Sequence, residues 1–94
     1  MSYQLEVIAS ATREIRALPA RIRAQAIPLI DSLIVNPRPS RSKELRGKPN
    51  IYRVWLAGRW RIVYRIDDER QLISILRVRL KDDIDYASVE PTQE

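Results

Sequence analysis

The strongest constraint on this chain is a change in the period of its apolar residues. Up to about residue 35 they recur at helical spacing, and from residue 51 onward they alternate with polar ones. IYRVWL (Ile51–Leu56), WRIVYRI (60–66) and LISILRVRLK (72–81) therefore read as three strands. Ala57-Gly58-Arg59 makes a three-residue hairpin loop in which Gly58 is free to adopt a left-handed backbone, and residues 67–71 make a longer turn. The three strands should form an antiparallel meander.

Residues 3–8 (YQLEVI) alternate loosely and predict a short first strand. Ser10 is placed to N-cap a helix over 11–18, with Ala11, Ile15 and Leu18 on one face. Pro19 suits the start of a second helix reaching about Val35, in which Ile22, Ala26, Leu29, Ile30 and Leu33 share a stripe. Pro28 predicts a kink there, because an interior proline removes one backbone hydrogen bond and crowds the preceding turn. Residues 36–50, with Pro37, Pro39 and Pro49, read as a loop. The expectation is an α+β fold of order β-α-α-β-β-β. Two N-terminal helices pack on one face of a mainly antiparallel four-stranded sheet. Residues 1–87 make a single domain, and the polar tail 88–94, containing Pro91, predicts disorder.

Hairpin geometry fixes which side chains share a face. Pairing Leu56 with Trp60 sets Val54 opposite Ile62 and Tyr52 opposite Tyr64, giving one apolar face for the helices to cover. Pairing Ile66 with Leu72 would add Leu72, Ser74, Leu76, Val78 and Leu80 to it. The other face then carries Ile51, Arg53, Trp55, Arg61, Val63, Arg65, Ile73, Ile75, Arg77, Arg79 and Lys81, with Arg61 beside Arg77 across strands. Like charges opposite one another destabilise a sheet, and a bound anion would offset that. Six bases and no acid on this face suggest a polyanion partner. The apolar strip of Ile73, Ile75, Val63 and Trp55 suggests a protein segment as a second one.

Composition narrows the chemistry. With 94 residues the chain has room for one domain, and with no Cys and no His it offers no disulfide, thiolate, imidazole base or Cys/His zinc site. No apolar run approaches the roughly 20 residues of a membrane span, which fits a small soluble cytoplasmic protein. Net charge is +5, but from Asp82 onward there are five acids and no bases, so residues 1–81 hold seventeen bases against seven acids. Such an excess attracts phosphate backbones. The two glycines are isolated and form no phosphate loop. Asp82 and Asp83 read as strand-end acids rather than a metal site, and no cofactor is implied.

Cleavage of RNA by its own 2′-hydroxyl fits these limits. It needs the phosphate held in line, a cation on the transition state and proton transfers at both ends. Arginine meets the first two needs, since guanidinium forks onto phosphate oxygens and stays charged. Trp55 or Tyr86 could stack on a splayed base.

The run ELRGKPNIYRVWLAGRWRIVY (44–64) resembles the RelE/ParE superfamily of toxins from type II toxin–antitoxin systems. The resemblance rests on the Leu45-Arg46-Gly47 turn, Tyr52-Arg53, and Arg61-Ile62-Val63-Tyr64 after a glycine hairpin. It implies, for the RelE branch, a metal-independent endoribonuclease that cuts mRNA on the ribosome, inhibits translation and is neutralised by a cognate antitoxin protein. On that reading Arg61 contacts the scissile phosphate, Lys81 supplies a second cation at the end of the last strand, and Tyr86 stacks on a base or assists proton transfer. Arg53 falls on the first of two lysines carried by RelE enzymes, and Trp55 stands in place of the second. Arg46, Lys48, Trp55, Arg65, Arg77 and Arg79 are the candidate RNA contacts. The toxin–antitoxin complex is a further candidate to bind operator DNA. The alternatives are a ParE-like poison of DNA gyrase and a catalytically impaired module acting as co-repressor with its antitoxin.

Overall fold

A computed structural model of the chain describes residues 2–81. Strand β1 (Gln4–Val7) leads into helices α1 (Ala9–Ala17) and α2 (Ala20–Val35), followed by strands β2 (Lys43–Glu44), β3 (Ile51–Leu56), β4 (Trp60–Asp67) and β5 (Leu72–Leu80). The strands form one sheet in the order β1-β5-β4-β3-β2, with β1 parallel to β5 and the other neighbours antiparallel. The α+β class and element order are as expected, but the sheet has five strands rather than four. The extra strand lies in the proline-rich loop, where Lys43 pairs with Arg53 and Glu44 with Tyr52. Two residues cannot show an alternation, so only their pairing reveals them.

Helix ends differ slightly from the sequence expectation. The N-cap of α1 is Ile8, which offers no side-chain acceptor, and Ser10 sits inside the first turn. Pro19 is the N-cap of α2, and the helix runs on through Pro28 to Val35. Pro28 is exposed while Ile22, Ala26, Leu29, Ile30 and Leu33 are buried. Burial of that stripe holds the helix together across the missing hydrogen bond.

The β3–β4 hairpin has the expected register: Tyr52 opposite Tyr64, Val54 opposite Ile62, Leu56 opposite Trp60. Ala57 (φ 53°) and Gly58 (φ 80°) both take the left-handed conformation that turns the chain. Strand β5 departs from expectation. Ile66 pairs with Ile73 rather than Leu72, so Ile73 and Ile75 point under the helices, fully buried alongside Ile62, Tyr64 and Ile66. A bulge then shifts the register between Val63 and Tyr64, and Leu76 is the unpaired residue. Beyond it Val78 returns to the helix side, and Arg61 faces Arg79 instead of Arg77. The parallel partner explains the first half: β1 sets Leu5 beside Ile73 and Val7 beside Ile75, and both β1 residues pack on the same core.

This corrects the apolar strip expected on the opposite face. Ile73 and Ile75 belong to the main core, and Val63 is buried in a second, small cluster with Ile51, under Leu45 and Leu76. Leu45 is brought there by the hooked segment after β2, in which Leu45 N–H donates to the Ile51 carbonyl (2.8 Å) and Ile51 N–H to that of Lys48 (3.2 Å).

A polar clasp closes the end of the sheet away from the hairpin. Arg38, in the loop after α2, donates to Asp68 at 2.8 Å and to the Tyr52 hydroxyl at 3.0 Å, and the Tyr3 hydroxyl donates to Asp68 at 2.6 Å. The Arg38 guanidinium holds the Asp68 carboxyl below its ordinary value. Tyr64 donates to the Pro37 carbonyl at 2.7 Å, and burial pushes its phenol up to about 12.

Candidate nucleic-acid interface

On the face away from the helices, Trp55 of β3 and Arg61 of β4 are direct cross-strand partners. Alternation along β3 puts Arg53 on the same face, and Lys81 follows β5 immediately, its backbone N–H bonded to the Arg59 carbonyl at 3.1 Å. Three cations thereby meet one indole. The Arg61 guanidinium carbon stands 4.4 Å from the Trp55 ring centre, the Lys81 ammonium 5.9 Å and the Arg53 guanidinium 6.0 Å. The negative face of an aromatic ring attracts cations within about 6 Å, most strongly when water is excluded. Arg61 meets that condition with only 9% of its surface exposed.

The arrangement suits an anion. Three positive groups repel one another, and the ring offsets only part of that cost, so a phosphate entering among them lowers the energy further. Among the described residues no group of acids could hold a metal ion. No helix of the described chain is long and apolar enough to cross a membrane.

A family model described as the ParE toxin of type II toxin–antitoxin systems, parDE, matches residues 4–84. The chain belongs to this toxin family. Solved structures agree with the assignment. A chain of the RelBE2 toxin–antitoxin complex from Mycobacterium tuberculosis is 30% identical, with a TM-score of 0.74, covering 86% of this toxin and 100% of that chain. A double arginine-to-alanine mutant of the E. coli toxin RelE in the free state is 26% identical, with a TM-score of 0.80 over 96% of this toxin and 95% of that chain. The intact E. coli RelBE toxin–antitoxin complex gives 29% identity and a TM-score of 0.75, covering 84% and 96%. No curated protein matches the sequence as a relative.

Within the toxin, the structure gathers Arg53, Trp55, Arg61 and Lys81 into one cluster. Arg46, Lys48 and Arg65 stand apart from that ring. Arg65 lies four residues along β4 from Arg61, roughly 13 Å away at strand rise. It lines a depression with Pro49, Asn50 and Asp67, where its buried Nε has no hydrogen-bond partner among the described residues. Arg46 and Lys48 sit in the turn between β2 and β3 and line a separate shallow hollow. Gly47 gives that turn its positive φ of 75°. Tyr86 lies outside the described residues, as do Asp82, Asp83 and the tail 88–94.

The expectation of an acid-free basic face is corrected at Arg77 and Arg79. Glu14 of α1 reaches over the edge of β5, 3.0 Å from Arg77 Nη1 and 3.6 Å from Arg79 Nε. The same carboxylate accepts the Val78 N–H at 2.8 Å. Sequence reasoning passed over Glu14 because a lone acid in a helix looks like a solvent-facing one. Its role follows from β1 stopping at Val7, which leaves the outer edge of β5 beyond Ile75 for α1 to cover.

Proposed function

We propose that this toxin is an mRNA endonuclease that acts on translating ribosomes in the cytoplasm and is neutralised by a cognate antitoxin protein. The observation that carries the reading is the convergence of Arg61, Arg53 and Lys81 on Trp55. Attack of a 2′-hydroxyl on the adjacent phosphorus builds negative charge on the non-bridging oxygens. A guanidinium already desolvated and held against an indole needs little reorganisation to stabilise that charge. Arg61 takes this role, and Arg53 and Lys81 orient the phosphate. Arginine does not deprotonate near neutral pH, so proton transfer falls to Lys81, to Tyr86, or to a 2′-hydroxyl activated by positioning alone. The functional unit spans residues 1–87. Solved relatives in complex with RelB-type antitoxins support the partner assignment, and the basic excess of residues 1–81 suits both ribosomal RNA and operator DNA bound through the complex.

A second reading, gyrase poisoning without RNA cleavage, is favoured by the match to a ParE model, and the tryptophan at position 55 keeps a catalytically impaired co-repressor as a third. Mapping cuts in a reporter mRNA with purified toxin, with and without translating ribosomes, separates them. Ribosome-dependent cuts within A-site codons, lost in Arg61→Ala, are expected. An intact message together with inhibited gyrase supercoiling refutes the nuclease and leaves the poison. Neither effect, with operator binding by the antitoxin complex retained, would mark a catalytically dead co-repressor.

A further inference from the structure

We infer that Glu14 is a positioning residue that holds Arg79 in reserve, so that Arg61 and its neighbours on Trp55 form the primary phosphate site. This rests on the RNA-binding reading above. Past Ile75, whose carbonyl accepts the Ile8 N–H just after β1 at 3.2 Å, β5 has no strand on its outer side among the described residues. One oxygen of Glu14 stands in for that strand by accepting the Val78 N–H at 2.8 Å. The other oxygen pairs with Arg77 and Arg79. The Glu14 side chain is 17% exposed and that of Arg79 42%, so water screens the Arg79 pair in part and a phosphate can compete for it.

Charge accounting shows why the placement matters. Arg79 sits directly opposite Arg61, a like-charge pair that the sheet must tolerate. Glu14 draws Arg79 toward the edge of β5, where both line a shallow groove of about 270 Å³ with Leu18, Trp60 and Leu80. Arg61 meanwhile stacks on Trp55. The two guanidinium groups thus leave the strand pair toward different partners. A phosphate arriving at Trp55 finds the Arg61 guanidinium already held on the ring, and engages Arg79 only by competing with Glu14.

Glu14→Gln separates the two jobs of this side chain. The amide oxygen still accepts the Val78 N–H, but the negative charge is gone. Binding of a 2′-O-methyl single-stranded RNA, which cannot be cleaved, is measured on the full-length toxin across a salt series. Each phosphate newly neutralised steepens the dependence of log K on log salt by about 0.7. Glu14→Gln is expected to steepen the slope by at least that amount and to tighten binding at low salt. Arg79→Gln should leave the wild-type slope nearly unchanged yet remove the increment in the Glu14→Gln background. A slope unmoved by Glu14→Gln overturns the inference, since loss of a merely structural contact cannot raise the number of phosphates bound. Should Glu14→Gln fail to fold, Arg79→Gln against Arg53→Gln decides. A loss of about 0.7 from both means that Arg79 was never held back. Wild-type toxin with no salt-dependent RNA binding sinks the RNA reading along with this one.

Discussion

The coupling between Trp55 and Arg61 is open to a direct energetic test. Their separation of 4.4 Å lies well inside cation–π range, and Arg61 is 9% exposed. The interaction should therefore sit in the upper part of the usual range, about 1–2 kcal/mol. The perturbations are Trp55→Leu, which keeps an apolar body without the ring's quadrupole, and Arg61→Met, which keeps length without charge. Urea unfolding of wild type, both single variants and the double variant closes a cycle that cancels the packing each variant loses on its own. A coupling of about 1–2 kcal/mol is expected. The same cycle on ribosome-dependent cleavage should give a five- to thirtyfold interaction, since 1.4 kcal/mol is a factor of ten. Coupling below about 0.3 kcal/mol in urea, within the error of additivity, would show that the indole and guanidinium are neighbours without being partners. The preorganisation argued for Arg61 would then fail.

The remaining predictions concern the fold. Tyr64→Phe should cost about 1 kcal/mol by leaving the Pro37 carbonyl without its donor, and calorimetry or urea melts would show it. Because burial raises the Tyr64 phenol to about 12, the unfolded chain ionises first. The corresponding stability is fully present below about pH 10 and is lost as pH rises toward 12; ultraviolet titration should find a tyrosine phase near pH 12, and its loss in Tyr64→Phe would assign it to Tyr64 rather than to Tyr3, which Asp68 also raises. Finally, Ile75→Ala should cost about 2–5 kcal/mol and Leu76→Ala distinctly less, because the Ile66–Ile73 register turns Ile75 into the main core and leaves Leu76 half-buried on the other face. The reverse order in urea melts would restore the Ile66–Leu72 register.

What could be read from the chain alone followed from short-range rules. Alternation after Ile51, the helical stripe from Ile22 to Leu33 and the three-residue loop at Gly58 each depend on neighbours in sequence. They sufficed for the β3–β4 register, and hence for seeing that Arg53, Trp55 and Arg61 share a face. One signal was present and was overridden. Ile73, Ile75, Val78 and Leu80 change parity between Ile75 and Val78, a spacing that one face can hold only with an extra residue. The long-range partners supplied the rest. Strand β1, brought alongside β5 from the far end of the chain, decides that Ile73 and Ile75 lie under the helices. Two residues of β2 become a strand only because β3 offers an edge. Glu14 becomes an arginine partner only because β1 is shorter than β5 and α1 crosses the exposed edge. Sequence periodicity records which side of its own strand or helix a residue occupies. Which element covers that side, and which charge arrives with it, is determined when segments dozens of residues apart pack together.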